Sequence, residues 1–367
     1  MKITIINSKK HWRNGWLSSQ AELQIVVDIL KKADIEVHIT EVDSVASLEN
    51  VLQNVSDNTL VWSNAYYVNT KENEVVWLND YVQKYQLPLL GSGATTLRNL
   101  LQKDITQQML RTAHIPIPNN LVMNATQINE IELLLAQSNL EFPVVLKPTA
   151  ESGSVGVVMA NDVEDASQKA KQILHNYPHS QVIVEPFLPS DDITCGFLQL
   201  GDQTLLLPTY YLVKSKAGTH HILSRTERLS PWDGKDKMQP VITDEQIRTQ
   251  LTVQVPRIIE AFDIQDISRV DGRLDKTGTL RFFDVNGLPA LCFPEGVMVK
   301  QCLNSFPNYE EKVVFEALIH TVVNNALQRY GFSVPPIMQE HNLFTLQSDL
   351  VITLQKIASD ISLADSL

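Results

Sequence analysis

The chain is short of basic residues: 30 Lys and Arg stand against 42 Asp and Glu over 367 residues, a formal charge of −12. That balance argues against nonspecific nucleic-acid binding, which needs a dense basic surface. It leaves room for a local basic pocket around an anionic ligand. Cysteine is scarce too. Cys195, Cys292 and Cys302 have neither metal-ligand spacing nor the density of a disulfide framework, and each reads as a small buried hydrophobe rather than a nucleophile. No apolar run approaches the ~18 residues of a membrane span. The opening "MKITIINSKKHW" turns basic early and lacks the apolar core of a signal peptide, so the cytoplasm is the default expectation. There is no internal repeat and no low-complexity segment.

What is present is an ordinary globular composition, with length enough for two or three domains and a substantial core. Residues 2–7 read as a strand, "SSQAELQIVVDILKKAD" as an amphipathic helix, "IEVHITEV" as a second strand and "NTLVWSNAYY" as a later one. Strands alternating with helices predict an α/β start, a parallel doubly wound sheet that closes at Gly91 and Gly93. A helix follows over 95–115. "EFPVVLKPTAESGSVGVVMA" reads as two strands joined by a small-residue loop, followed by a helix over 163–177 and the strand "SQVIVEPFL". Residues 196–240 mix strands with a long basic loop at 214–237. Helices over 244–262 and 310–330 flank a hairpin, "RVDGRLDKTGTLRFFDVN". Past Pro336, Leu343, Leu346, Leu350, Leu354, Ile357 and Ile361 step by three and four, one apolar helix face. That face either packs on the chain's own core or serves a homodimer.

The hairpin carries the first candidate chemistry. A four-residue turn at Asp275-Lys276-Thr277-Gly278 sets Arg269 across from Asp284 and Asp271 across from Phe282. Arg269, Asp271 and Arg273 alternate, so they share a face with Asp284 and Asn286. One reading is a solvated face with cross-strand ion pairs. The other starts from the Phe and Val runs, which imply a buried sheet where unpaired charge is costly; carboxylates beside an Asn suit hard cations such as Mg²⁺. The second candidate, "KPTAESGSVGV" from Lys147 to Val157, sets a lysine before a Gly/Ser loop able to surround a phosphate. It is not a Walker A loop, and standing alone it reads more readily as a flexible surface turn. The third, "VEPFLPSDD", ends a strand in Glu185 and opens into an extended linker. It either faces a heterocycle or marks a domain boundary.

Taken as an ordered set, these segments resemble the ATP-grasp superfamily and, within it, the D-alanine–D-alanine ligase family, over about residues 88–333. The resemblance implies an α/β (α+β) ATP-grasp fold of three domains with nucleotide between the second and third. These are a Rossmann-like unit over 1–93, a central subdomain over 94–190 and a carboxy-terminal subdomain over 191–333, before a helical tail over 334–367. "GSG" at 91–93 leads to Lys103, which matches the family's first nucleotide-binding lysine, and Lys147 matches the second, on the phosphates. Ser152, Gly153 and Ser154 match the lid over the γ-phosphate, with Ser154 counted among the catalytic groups. Glu185 matches the residue facing the adenine amino group, Leu188 the hinge backbone contact and Asp192 the ribose-binding acid. Arg269 corresponds to the transition-state arginine. Asp271, Asp284 and Asn286 correspond to the ligands of Mg²⁺, a site Mn²⁺ also fits. The implied cofactors are ATP and that metal.

The departures concern the substrates. Asp284 stands where the family has a glutamate. "INSKKHWRNGWLSSQAE" and "SNAYYVNTKENE" replace two substrate-binding stretches, and "NGLPALCFPEGV" puts Glu295-Gly296 where a Ser-Leu pair holds a carboxylate. In the basic loop, Lys214, Lys216, Arg225 and Arg228 are candidates for phosphates or an acidic substrate, against a solvated charge run. His220 and His221 are candidate bases or ligands, against plain loop histidines. The resemblance thus implies an ATP-dependent, ADP-forming ligase that joins a small carboxylate to an amine through an acyl phosphate. D-alanine–D-alanine ligation itself, and a nucleotide-binding module without catalysis, are the alternatives.

Overall fold

The computed structural model describes residues 1–8, 16–69, 75–216, 221–230, 236–339, 343–346 and 351–353. Three parallel strands, β1 (Lys2–Ser8), β2 (Glu36–Val42) and β3 (Thr59–Ser63), lie in the order β2-β1-β3. Parallel neighbours need long crossovers, and α1 (Gln20–Lys32) and α2 (Val45–Gln53) supply them. Ser19 caps α1 by accepting the Glu22 N–H at 3.3 Å. Leu23, Val26, Val27 and Leu30 are the buried stripe of that helix.

The apolar run over 58–67 is not one strand. Buried Asn64 takes the Leu17 N–H on its Oδ1 at 3.0 Å and donates to Asn7 Oδ1 at 2.8 Å. Those bonds turn the chain out of the ladder, and β4 (Tyr67–Asn69) starts a separate ribbon with β5 (Val75–Trp77), followed by α3 (Leu78–Lys84). The helix expected over 95–115 is likewise two, α4 (Ala94–Leu101) and α5 (Lys103–Thr112), broken at an extended Gln102. At the break the Lys103 N–H, an orphan donor of the new helix start, bonds Thr149 O at 2.9 Å.

A four-stranded antiparallel sheet follows, ordered β6-β9-β7-β8, from β6 (Leu121–Met123), β7 (Val144–Pro148), β8 (Val158–Ala160) and β9 (Val182–Pro186). Its Val144, Leu146, Val182 and Val184 pack on α6 (Ile131–Gln137) and α7 (Val163–Asn176). Strand alternation then aims Val145 and Lys147 the other way.

The larger sheet runs β12-β11-β10-β13-β14, built from β10 (Asp192–Leu200), β11 (Gln203–Val213), β12 (Lys237–Met238), β13 (Ile267–Leu274) and β14 (Leu280–Asn286). The basic stretch contains a short helix, α8 (Arg225–Leu229). One sheet face packs on α5 and α9 (Glu245–Phe262). The other meets α10 (Val297–Ser305) and α11 (Glu311–Arg329), in a core shared with Ile3, Trp16 and Leu60 of the first unit.

The tail departs from the helix expected of it. Leu343 and Phe344 are buried in that shared core, Leu343–Leu346 is a single 3₁₀ turn, and Val351–Thr353 is a strand, β15, antiparallel to β11. Leu350, Leu354, Ile357 and Ile361 lie outside the described residues. Among the described residues no helix is long and apolar enough to cross a membrane.

Candidate functional site

The β13–β14 hairpin differs in register from the constant sum expected of it. Asp275 N–H bonds Thr279 O at 2.9 Å, so five residues lie between the last pair, Leu274 and Leu280. A bulge then leaves Phe283 as the extra residue, and beyond it Asp271 pairs with Asp284 and Arg269 with Asn286. Side chains alternate along a strand, so without the extra residue Asp284 and Asn286 would face away from Asp271. The bulge therefore creates the two-carboxylate wall.

That wall closes a cavity of about 850 Å³ between the two antiparallel sheets. Arg269 grips Asp271 with two bonds, Nε to Oδ1 at 3.1 Å and Nη2 to Oδ2 at 3.0 Å. Both residues are under 10% exposed: Arg269 9% and Asp271 8%. Burial pushes the Asp271 carboxyl up, but the guanidinium outweighs it and holds the group below its ordinary range. Asn286 Nδ2 donates to Asp271 Oδ2 at 3.1 Å. Asp284, half-buried and paired across the ladder with Asp271, lies within electrostatic reach of both the Arg269 guanidinium and the Lys103 ammonium. Among the described residues no group of three or more His, Cys, Asp or Glu is placed so that it could hold a metal ion by itself. Two carboxylates and an amide are hard oxygen donors and underfill the octahedral shell of Mg²⁺. The set fits an ion that draws its remaining ligands from phosphate and water.

Facing the wall are two buried lysines. Lys147, on β7, pairs with Glu185 Oε1 at 2.6 Å and sits 5.0 Å from the centre of the Phe283 ring. Gln107 donates to the other Glu185 oxygen at 3.0 Å. Lys103 bonds the carbonyl of Glu151. Burial pushes the Lys103 ammonium below its ordinary value, Asp284 pulls it back up, and Lys147 adds to the fall. In the loop after Lys147, Gly153, Ser154 and Gly156 hold φ of 63°, 60° and 70°. For Ser154 this left-handed backbone carries strain. A tight loop of this kind turns successive N–H groups inward, the geometry of an anion cradle.

Two arginines tie the loops to the sheets. Arg228 donates through Nε to Ser154 Oγ at 2.5 Å and lies 5.7 Å from the Tyr211 ring centre. Arg273, read from sequence only as one cation on the hairpin face, joins three segments. It bonds Asp192 Oδ1 at 2.7 Å, the Leu188 carbonyl at 3.1 Å and the His221 carbonyl at 2.9 Å.

The basic stretch is more built than a solvated run. Lys237 is buried and donates to the carbonyls of Glu227, Arg228 and Ser230 at 3.2, 3.0 and 2.6 Å, closing the end of α8. Burial opposes ionisation of Glu227, but bonds from Lys216 and Ser224 win and hold its carboxyl down at about 2.

Of the residues singled out from sequence, Lys103, Lys147, Ser152, Gly153, Ser154, Glu185, Leu188, Asp192, Arg225, Arg228, Arg269, Asp271, Asp284 and Asn286 all line this cavity. Two do not. Lys214 is exposed in a 3₁₀ turn, its N–H spent on Asp236 O. Glu295 is exposed ahead of α10 and paired with Lys300 at 3.8 Å, so it is no part of the cavity wall. Lys216 is exposed too, paired with Glu227. His220 lies outside the described residues.

Sequence reasoning missed Tyr66, Tyr67 and Phe283. Tyr66 accepts the Leu288 N–H at 3.0 Å, and burial pushes its phenol up to about 12. Only the unusual "AYY" in place of a family motif hinted at them. Cys195 and Cys302 are buried, as expected, and burial raises both thiols. Cys292 is half-buried at the cavity edge, its thiol raised by burial to about 11.

An ATP-grasp arrangement with a cationic, carboxylate-walled cleft is the class this geometry defines. The chain belongs to the family described as D-ala D-ala ligase C-terminus, whose model matches residues 109–304. It is 26% identical over 205 residues to a D-alanine–D-alanine ligase of Aquifex aeolicus, covering 56% of this chain and 64% of that one. A ligase of the same name from Fervidobacterium nodosum is 22% identical, with 65% of its length covered. The chain thus spans slightly less than two thirds of these two relatives. A third, from Gloeobacter violaceus, is 24% identical over 332 residues, 89% of this chain and all of that one.

Among solved structures, the D-alanine–D-alanine ligase of Bacillus anthracis complexed with ATP matches with a TM-score of 0.58 and 14% identity. That match covers 90% of this chain and 99% of the other. D-alanyl-alanine synthetase A from Vibrio cholerae matches with a TM-score of 0.62 and 14% identity, over 89% and 98% of the two chains. These likenesses establish the fold.

Proposed function

We propose that the protein is an ATP-dependent, ADP-forming ligase that joins a small-molecule carboxylate to an amine through an acyl phosphate. The observation that carries the proposal is the convergence of Lys103, Lys147, Arg269 and the Asp271–Asp284 pair on one cavity. A carboxylate resists attack by an amine until one of its oxygens becomes a leaving group. In the proposed sequence that oxygen attacks the γ-phosphorus of ATP, the bond to the bridging oxygen breaks, and ADP departs. The amine nitrogen then attacks the acyl carbon, inorganic phosphate leaves with its bonding electrons, and the nitrogen gives up a proton to solvent.

Little covalent work falls to the protein, which positions groups and stabilises charge. Lys103 and Lys147 hold the phosphates, and the 152–154 loop covers them and excludes water that would hydrolyse the intermediate. Glu185, the Leu188 backbone and Asp192 take the base and ribose. Arg269 steadies the acyl phosphate and the tetrahedral intermediate. Asp271, Asp284 and Asn286 would hold Mg²⁺ or Mn²⁺, which neutralises phosphate charge when bound. Arg225 and Arg228 close over the phosphates from α8.

The names of the relatives are compatible with a second reading, D-alanine–D-alanine ligation itself. A cytoplasmic location accompanies either ligase reading. A homodimer is a separate proposal, tested by light scattering of the full chain; the described apolar residues of the tail, Leu343 and Phe344, pack on the chain's own core instead.

Incubation with Mg-ATP and pools of amino acids, following ADP release, tests the function. Turnover with a carboxylate and amine pair supports the ligase, and turnover with D-alanine alone supports the second reading. Tight nucleotide binding without turnover in any pool refutes both.

A further inference from the structure

Side chains from four separate segments form one continuous chain of hydrogen bonds at the edge of the cavity. Lys147 on β7 donates to Glu185 Oε1 on β9 at 2.6 Å, and Gln107 on α5 donates to Glu185 Oε2 at 3.0 Å. Asn120, just ahead of β6, donates to Gln107 Oε1. Lys147 and Glu185 line the cavity, whereas Gln107 is 1% exposed and reaches Glu185 from outside that lining. Its amide has one workable orientation. A carboxylate only accepts, so the Gln107 nitrogen must face it, and the amide oxygen then turns to the Asn120 donor.

A carboxylate gripped at each oxygen from a different element keeps a single orientation, as a functional group does when a supporting layer of hydrogen bonds locks it. Each oxygen keeps a lone pair for a further donor, and the Lys147 ammonium has donors beyond the one given to Glu185. The cavity edge therefore sets a fixed acceptor beside a donor. That pair complements the 6-amino group and N7 of adenine. A 6-oxo purine would turn an acceptor, O6, toward the carboxylate, and two facing acceptors out of water are left without partners.

We propose that Gln107, seated by Asn120, is the positioning residue through which the site selects a 6-amino over a 6-oxo purine nucleotide. Gln107 acts through Glu185 and touches no substrate itself. The inference rests on the ligase reading, in which Glu185 takes the base, and names the residue that fixes its orientation. Without the Gln107 donor the carboxylate is free to turn about its bond to Lys147, away from O6, and the penalty on the oxo base falls.

The test measures Kd for Mg-ATP and for Mg-ITP by calorimetry on the full chain. The hypoxanthine of ITP differs from adenine chiefly at the 6-position, and the measurement needs neither acid nor amine. Wild type should bind ATP at least about tenfold more tightly than ITP. Gln107→Met keeps the reach of the side chain without its donor and should narrow that ratio at least about threefold. Asn120→Ala, at a half-buried position, should move the ratio in the same direction and carries the test if Gln107→Met does not fold.

The proposal is overturned if wild type separates the two nucleotides by less than about tenfold. It is also overturned if the variants weaken ATP and ITP alike and leave the ratio unchanged, the outcome of a merely structural role. In both cases binding of Mg-ATP leaves the ligase reading standing. Failure of wild type to bind Mg-ATP overturns that reading and this inference with it.

Discussion

Replacing Arg273 with Met removes a cation that ties three segments together while keeping most of its volume. In the wild-type chain Arg273 is 8% exposed, bonds Asp192 at 2.7 Å and the carbonyls of Leu188 and His221, and lies 4.9 Å from the Phe187 ring centre. Breaking a fully buried ion pair by deleting one partner costs about 3–5 kcal/mol, mostly from the stranded charge. The Asp192 side chain keeps 20% exposure, so water reaches it and the charge contribution falls to about 2 kcal/mol. Two carbonyls also lose donors, at about 0.5 kcal/mol each where water partly replaces them. The expected destabilisation is about 3 kcal/mol, measured by urea unfolding followed by tryptophan fluorescence. Adding Asp192→Asn removes the stranded charge, so the double variant should recover about 1.5 kcal/mol relative to the additive sum. Stability within about 0.5 kcal/mol of wild type, or strict additivity of the pair, would refute the placement of Arg273 as a buried tie.

Two further predictions concern the nucleotide. Burial depresses the Lys103 ammonium, and a bound phosphate favours the charged form, so its bound-state pKa exceeds the free one. Nucleotide affinity should be full below the free-state pKa. It should fall, by up to about tenfold per pH unit, as pH rises through the window between the two values; calorimetry across the alkaline range reads it, and Lys103→Met should flatten the profile. In the 152–156 loop, Gly156→Ala would set a Cβ 2.8 Å from Tyr177 and 2.9 Å from the Pro148 ring at φ +70°, whereas one at Gly153 meets nothing within 4 Å. Both variants carry left-handed strain of about 1 kcal/mol, but only Gly156→Ala must displace the loop, so it alone should raise KM for ATP severalfold.

The hairpin was legible because Arg269, Asp271, Asp284 and Asn286 alternate around a clear turn. Its register was not, because nothing local to the sequence reveals that Phe283 is the residue squeezed out of the ladder. Counting along a strand assumes that every residue pairs. The break at Gln102 was hidden for a similar reason: α4 and α5 share one continuous apolar pattern, and the bond that interrupts them, Lys103 N–H to Thr149 O, joins residues far apart in the chain. Glu295 and Lys214 were placed by spacing from neighbouring motifs, which fails where the connecting segment changes direction. Glu295 is carried outward by the turn before α10, and Lys214 by the 3₁₀ turn after β11. Arg273 shows the converse. Its alternation put it on the right strand, but its partners lie far off in sequence, Asp192 on the neighbouring strand β10 and the carbonyls of Leu188 and His221 on the segments beside it.

The central claim is that Asp271, Asp284 and Asn286 meet a divalent ion held against nucleotide phosphates. A crystal of the full chain grown with Mn²⁺ and a non-hydrolysable ATP analogue, with anomalous diffraction at the manganese edge, addresses it most directly. The prediction is an anomalous peak within coordination distance of the Asp271 and Asp284 carboxylates and of the analogue's phosphates. Manganese or nucleotide bound away from those carboxylates would contradict it.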